Sequence, residues 1–325
     1  MHSAETNASV RIDDLGRKQQ IAAELLALAY IAIVAKVAVA TGAFYILFPE
    51  LAALSYDIFT RPRGSWASAP VLLVITPVLT AVLGTLVTRA LPYDYFSVML
   101  AVGGGLAIVL VLRSPIAPAI SAGLLLLALG VRSLWYAPGI VFGTILLALL
   151  SSIWKKMSDE PLQNATVARE HEATVPSAES YWRLLPLVAL VLAAVFVVKL
   201  TNLRFVLFPP LVVIGFEMSI HTRRCPWATR TLSLTVVCML TAAGGLFCRR
   251  YLAVGAAGSV TSMAWGILIL RVFDLHVPPA LVVALLPQVI DSPTALYAVA
   301  VGIGTSLLSG SFVLYNRVLR PYFEY

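Results

Sequence analysis

The chain has 325 residues, 60% of them apolar and 12% charged, with a mean hydropathy of +0.90. No ordinary soluble domain carries that composition, and apolar runs long enough for a hydrocarbon core of roughly 30 Å recur from residue 21 onward. The net charge of +7 resides in Lys and Arg at the ends of those runs, where headgroups and topology account for it, so the expected partner is the lipid bilayer and not nucleic acid.

In chain order, residues 1–22 form a polar tail with Arg11, Asp13, Asp14, Arg17 and Lys18, without the short apolar core and cleavage site of a signal peptide. A first span covers about residues 21–47 and contains Lys36. It ends in Phe48-Pro49-Glu50-Leu51, followed by an apolar piece, 52–59, that is too short to cross, and by Arg61-Pro62-Arg63. Further spans occupy about 66–87 and 96–112, the second holding Gly103-Gly104-Gly105 and closing at Arg113-Ser114-Pro115. Residues 116–129 are apolar but broken by proline, and read as a half-helix or re-entrant segment. A last span fills about 134–154.

Residues 157–182 are a polar linker with Pro161, Pro176 and mixed charges, expected to be mobile and cytoplasmic. The order then repeats: a span with Lys199, the turn Phe208-Pro209-Pro210-Leu211, a short piece, Arg223-Arg224, spans at about 227–247 and 254–270, a broken piece at 278–290 and a last span at about 294–314. The repetition extends to single residues. Phe48-Pro49 returns 160 positions later as Phe208-Pro209, and beyond it the register settles at 161: Trp66-Ala67 as Trp227-Ala228, Gly84 as Gly245, Pro118-Ala119 as Pro279-Ala280, Gly143-Thr144 as Gly304-Thr305. Apolar composition does not align Trp, Pro and Gly-Thr pairs in one frame by chance. The sequence thus predicts a tandem duplication of a four-span unit, 23–156 and 183–325, with about eight transmembrane helices in total.

With four spans per copy the copies are parallel, and the N-terminal tail, Arg89, Lys155-Lys156, Arg249-Arg250 and the C-terminal Arg317 and Arg320 share one face. That face is cytoplasmic in a bacterial inner membrane by the positive-inside rule. Arg61, Arg63, Arg113, Arg223, Arg224 and Arg271 stay on the other face. A full fifth span in each copy would invert the two.

Candidates for chemistry are few. Pro49, Pro209, Pro210, Pro278 and Pro279 start short helices at membrane depth, and such N-termini present N–H groups and partial positive charge to an anion. Plain kinks explain the same prolines. Lys36 and Lys199 lie within apolar runs, where a lysine usually faces a cavity or a partner, with snorkelling as the competing reading. Glu50 and Glu217 can pair with neighbouring arginines, and His276 can bind a ligand, relay protons or sit satisfied at the interface. Cys225, Cys238 and Cys248 show no ligand spacing, and no nucleophile, paired-carboxylate or metal pattern is visible, so no enzyme activity and no cofactor are expected.

The Phe-Pro-x-Leu turns, the basic-proline stretch Arg61-Pro62-Arg63 and the Val277-Pro278-Pro279-Ala280 break resemble the HPP family of integral membrane proteins. His276 stands one place before the family's His position, and the first copy has Ile116-Ala117-Pro118-Ala119 there. The resemblance implies a four-helix transmembrane unit and, since plant and cyanobacterial members transport nitrite, a secondary transporter or channel for a small inorganic anion. Its substrate-binding residues would be Lys36, Pro49, Lys199, Pro209, Pro210, His276, Pro278 and Pro279, between the two repeats. A non-transporting scaffold or assembly subunit, with the breaks as packing features, is the alternative.

Overall fold

A computed structural model describes residues 16–158, 182–220, 225 and 227–319. The tail 1–15, most of the linker and the pair Arg223-Arg224 lie outside the described residues, and with them the expectation about the linker. The described residues are all-helical, without a strand, and form twelve α-helices. In the first half these are α1 (Arg17–Thr41), α2 (Glu50–Thr60), α3 (Pro70–Ala90), α4 (Tyr95–Val111), α5 (Ala119–Leu129) and α6 (Tyr136–Met157). In the second they are α7 (Leu185–Thr201), α8 (Pro209–Ile220), α9 (Thr231–Leu252), α10 (Ala256–Val272), α11 (Pro279–Leu285) and α12 (Leu296–Leu314). The 3-10 turns Phe44–Ile46 and Arg204–Leu207 precede α2 and α8, and Leu286–Gln288 extends α11. Six helices (α1, α3, α6, α7, α9 and α12) are long and apolar enough to cross a membrane. The apolar α4 and α10 have 17 residues each, about 25 Å at 1.5 Å per residue.

Local chemistry fixes the ends. Gly42 and Asn202 terminate α1 and α7 in the left-handed region, at φ of 68° and 59°, a conformation these two residue types adopt most readily. Pro70 opens α3, where its missing N–H is no loss, and Asp94 with Ser97 forms a capping box at the start of α4. Small residues let helices touch: a Cβ on Gly84 of α3 would lie 2.4 Å from the Cα of Gly123 in α5, and one on Gly245 of α9 would lie 2.1 Å from the Ala284 carbonyl oxygen in α11.

The short helices are not isolated stubs. α1 runs antiparallel to α6, because the Tyr30 hydroxyl donates to the Gly143 carbonyl and Gln19 near the start of α1 reaches Ser158 just past the end of α6. The segment that follows α1 then runs the same way as α6 along most of its length. Tyr45 and Phe48 pack edge-on against Tyr136, Leu51 lies against Gly143, and the Trp154 indole donates to the Phe59 carbonyl. Residues 114–132 do the same beside α3: Ser114 meets Thr76, Gly123 meets Gly84, and the Arg132 carbonyl accepts from Arg89. Each proline-broken piece therefore starts its helix midway and completes a passage begun in 3-10 or extended backbone. Two such pieces per half leave both ends of a half on one side of the bundle.

This geometry corrects the distribution of charge expected from four spans per half. Lys18, Arg61, Arg63, Arg113, Lys155, Lys156, Arg183, Arg230, Arg271 and Arg317 gather at the end of the bundle where α1 begins. Lys36, Arg89, Arg132, Lys199, Arg204, Arg249 and Arg250 gather at the other.

Details of the first half recur in the second at 160 or 161 positions. Tyr136 donates to the Ala122 carbonyl at 3.0 Å, and Tyr297 to the Val283 carbonyl at 2.8 Å. Thr41 bonds back to Val37 and Thr201 to Val197, both at 2.7 Å. Arg113 and Asp274 both take a positive φ, 46° and 49°. The halves also interlock crosswise: α1 packs on α10 and α7 on α4, α2 packs on α11 and α5 on α8. Glu24 near the start of α1 meets Arg271 near the end of α10, and Lys199 near the end of α7 meets Asp94 at the start of α4. Corresponding helices thus point the same way in both halves.

Candidate functional site: a charged cluster on one seam

All eleven residues of α2 are buried, including Asp57, whose side chain is 3% exposed. A carboxylate cannot remain charged there without partners, because leaving water unpaired costs an ion several kcal/mol. Arg61 supplies one from the next turn of the same chain, its Nε 2.9 Å from Asp57 Oδ1 and its Nη2 in contact with the same oxygen. His276 supplies the other from the second half, with Nε2 3.2 Å from Asp57 Oδ1. That contact assigns the Nε2 hydrogen to the imidazole facing the carboxylate. Tyr56 stacks on the same ring, centroids 5.5 Å apart and planes at 30°.

The backbone after α10 delivers His276 to this place. Asp274 takes the left-handed region and Leu275 N–H bonds back to the Leu270 carbonyl, a Schellman closure that reverses the chain before the Pro278 break. Beside the Asp57 group, Arg271 of α10 holds Glu24 of α1 with two bonds, Nε to Oε1 at 3.1 Å and Nη2 to Oε2 at 2.6 Å. Two carboxylates, two guanidinium groups and one imidazole therefore share the seam between α1–α2 and α10–α11. Their charges cancel with His276 neutral and sum to plus one with it protonated.

Among the described residues the other seam does not repeat this set. In the repeat register Glu24 corresponds to Leu184, Arg271 to Leu110 and His276 to Pro115, and only Asp57 has an acidic counterpart, Glu217. That recurrence of a carboxylate at one register position of two mainly apolar short helices is the signal by which Asp57 can be found. Glu24 leaves no comparable trace.

Of the residues expected to bind substrate, His276 alone joins the cluster. Lys36 lies exposed on α1, and Lys199 is half exposed on α7, ion-paired with Asp94 and set 4.6 Å from the centroid of the Tyr95 ring. The bond from Lys199 holds the Asp94 carboxyl below the usual carboxylate range.

The proline-started helices are also used differently from the expectation. Pro49 caps α2, Pro209 and Pro210 open α8, and Pro278 and Pro279 open α11, all buried. Their first N–H groups are not available to an anion. Leu51 and Ala52 donate to Phe48 and Pro49, Leu211 to Phe208, and Ala280 and Leu281 to Val277 and Pro278, at 2.9 to 3.0 Å. Where α2 begins, the protein places its own carboxyl group, Glu50, 2.7 Å from the hydroxyl of Ser121 near the start of α5. Among the described residues, no group of three or more His, Cys, Asp and Glu could hold a metal.

The chain matches no family model, no curated protein and no solved structure.

Proposed function

We propose that this integral membrane protein is a secondary transporter made of two like-oriented copies of one unit, with its coupling site at the Asp57–His276 seam. The observation that carries the proposal is a buried carboxylate of one half bonded to a histidine of the other. Ionisable groups inside a membrane bundle are expensive, and they mark ion pathways and proton relays more often than packing. Histidine changes charge near neutral pH, so a proton arriving at His276 leaves the five groups with one net positive charge and tightens the His276–Asp57 contact at the expense of Arg61. A small monovalent anion entering with that proton restores neutrality. This reading retains the small inorganic anion implied by the HPP resemblance, and it moves the anion from the proline-started N-termini to the charged seam.

Each half would cross the bilayer six times, four times as continuous helix and twice as a broken segment. The end carrying Arg61, Arg63, Lys155, Lys156 and Arg271 would be cytoplasmic, together with both termini and the linker, in a bacterial inner membrane. Arg89 and Arg249-Arg250 then face the opposite side.

Proteoliposome uptake of nitrite and a panel of other small anions, with and without an imposed pH gradient, tests the reading. Uptake that responds to the gradient, falls at least tenfold in Asp57→Asn and His276→Gln, and persists in the Lys36→Met, Lys199→Met double variant is the expected result. Uptake in the wild type that is unchanged by Asp57→Asn and His276→Gln would remove the site. No uptake of any anion would favour the scaffold reading, which the packed and hydrogen-bonded starts of α2, α8 and α11 also suit.

A further inference from the structure

A second group in the molecule stands apart from the seam cluster. Glu50 is the first residue of α2, 1% exposed, and its Oε1 lies 2.7 Å from the Ser121 hydroxyl, whose single proton serves either that oxygen or the Pro118 carbonyl 2.6 Å away. Its other oxygen, Oε2, is buried with no hydrogen-bond partner. No cation is at hand. Tyr30 of α1 and Tyr136 of α6 spend their hydroxyls on the Gly143 and Ala122 carbonyls, and α5 and α11 contain no ionisable residue. On α2 itself Asp57 lies two turns away in the grip of Arg61 and His276. Glu24 of α1 is engaged by Arg271, and Lys36 points to the surface.

The architecture does not require the carboxyl. In the repeat register Glu50 corresponds to Pro210 and Ser121 to Val282, so the same junction of two short helices is built without polar side chains in the second half. A burial that the fold repeats without, and that leaves an oxygen unserved, points to a ligand. A metal cation is a poor fit: among the described residues the one side-chain oxygen bonded to Glu50 is the Ser121 hydroxyl, and the starts of α2 and α5 direct their positive ends at the site. A proton fits, because a neutral acid with one unserved O–H is far less costly in a dry interior than an unpaired carboxylate.

We propose that Glu50 is a proton-binding site, holding its proton on Oε2 at the junction of α2 and α5 and exchanging it when that junction opens. The assignment does not depend on the transport reading. Infrared difference spectra of the full chain in detergent, recorded across neutral pH, test it directly. The expected result is the carbonyl band of a protonated carboxylic acid that disappears in Glu50→Gln, together with labelling of Glu50 by dicyclohexylcarbodiimide that declines at alkaline pH. An ionised-carboxylate band assigned to Glu50 at neutral pH, or no Glu50-dependent acid band at any pH, overturns the proposal. Glu50→Leu with Ser121→Val copies the apolar character of the second junction and is expected to fold without the band. If it fails to fold, the comparison of wild type with Glu50→Gln still decides.

Discussion

Replacing Arg271 by Met and replacing Glu24 by Gln break the same ion pair, yet their consequences should differ. The Glu24 side chain is 9% exposed and the Arg271 side chain 45%. Arg271→Met strands a buried carboxylate. Breaking a fully buried pair this way costs about 3–5 kcal/mol, and the half-exposed arginine end shows that this pair is partly screened, so about 2 kcal/mol is expected. Glu24→Gln instead leaves a guanidinium that already reaches solvent, at a cost under about 1 kcal/mol. Glu24→Leu combined with Arg271→Met should recover most of the loss, since an apolar pair of similar volume often replaces a buried ion pair without penalty. The buried thiols of Cys225, Cys238 and Cys248 provide the assay, through their reaction with a maleimide dye as the detergent-solubilised protein is heated. The reasoning is refuted if Glu24→Gln lowers the melting temperature as far as Arg271→Met, or if the double variant is no better than Arg271→Met.

Three further outcomes are expected. Lys199→Met should raise the Asp94 carboxyl toward the ordinary carboxylate range in a 13C titration, with the Tyr95 N–H bond still in place. Because the folded value is depressed, the pair's contribution is present above the ordinary carboxylate range and lost as pH falls through the depressed value, so wild type and variant should melt alike at strongly acid pH. Gly84→Val and Gly245→Val place side-chain atoms inside the backbone of α5 and α11, and each should abolish recovery of monodisperse protein, whereas Gly103→Ala, with open space at its Cβ, should not. Single cysteines at Ser133 and at the exposed Met157 should react with an impermeant thiol reagent from opposite sides of the membrane. Labelling from the same side would dismantle the account of the broken segments.

The long helices were legible because an apolar run of more than twenty residues has few other uses, and the 160–161 register proved to carry hydrogen bonds as well as residue types. That the broken pieces run alongside full-length helices was not legible from counting helical residues alone. Extended backbone advances about 3.3 Å per residue against 1.5 Å in a helix, so a few residues before Glu50 or Ala119 cover the missing distance. The N–H groups at Pro49 and Pro279 looked available because proline marks a helix start. It does not reveal that the preceding turn supplies acceptors three residues back. Lys36 misled for a different reason: it stands in an apolar run, but on the exposed face of α1 near its C-terminal end. Asp57 was hidden because its partner Arg61 belonged, in sequence, to a basic cluster that topology alone explained.

The shared direction of corresponding helices bears on how such a molecule could change state. When two repeats are inverted, exchanging their conformations turns an inward-open protein into an outward-open one, and the second state comes at no extra design. Here corresponding helices of the two halves run the same way, so exchanging their conformations only rotates the molecule about the bilayer normal and opens the same face as before. A second opening must come from within a half. Pro49, Pro118, Pro209 and Pro279, where each short helix starts midway, are the places where a half can bend without melting a continuous helix. The polar pair Glu50 with Ser121 sits at the Pro49 and Pro118 breaks of the first half and has no polar counterpart at Pro209 and Pro279, so the two halves need not bend alike.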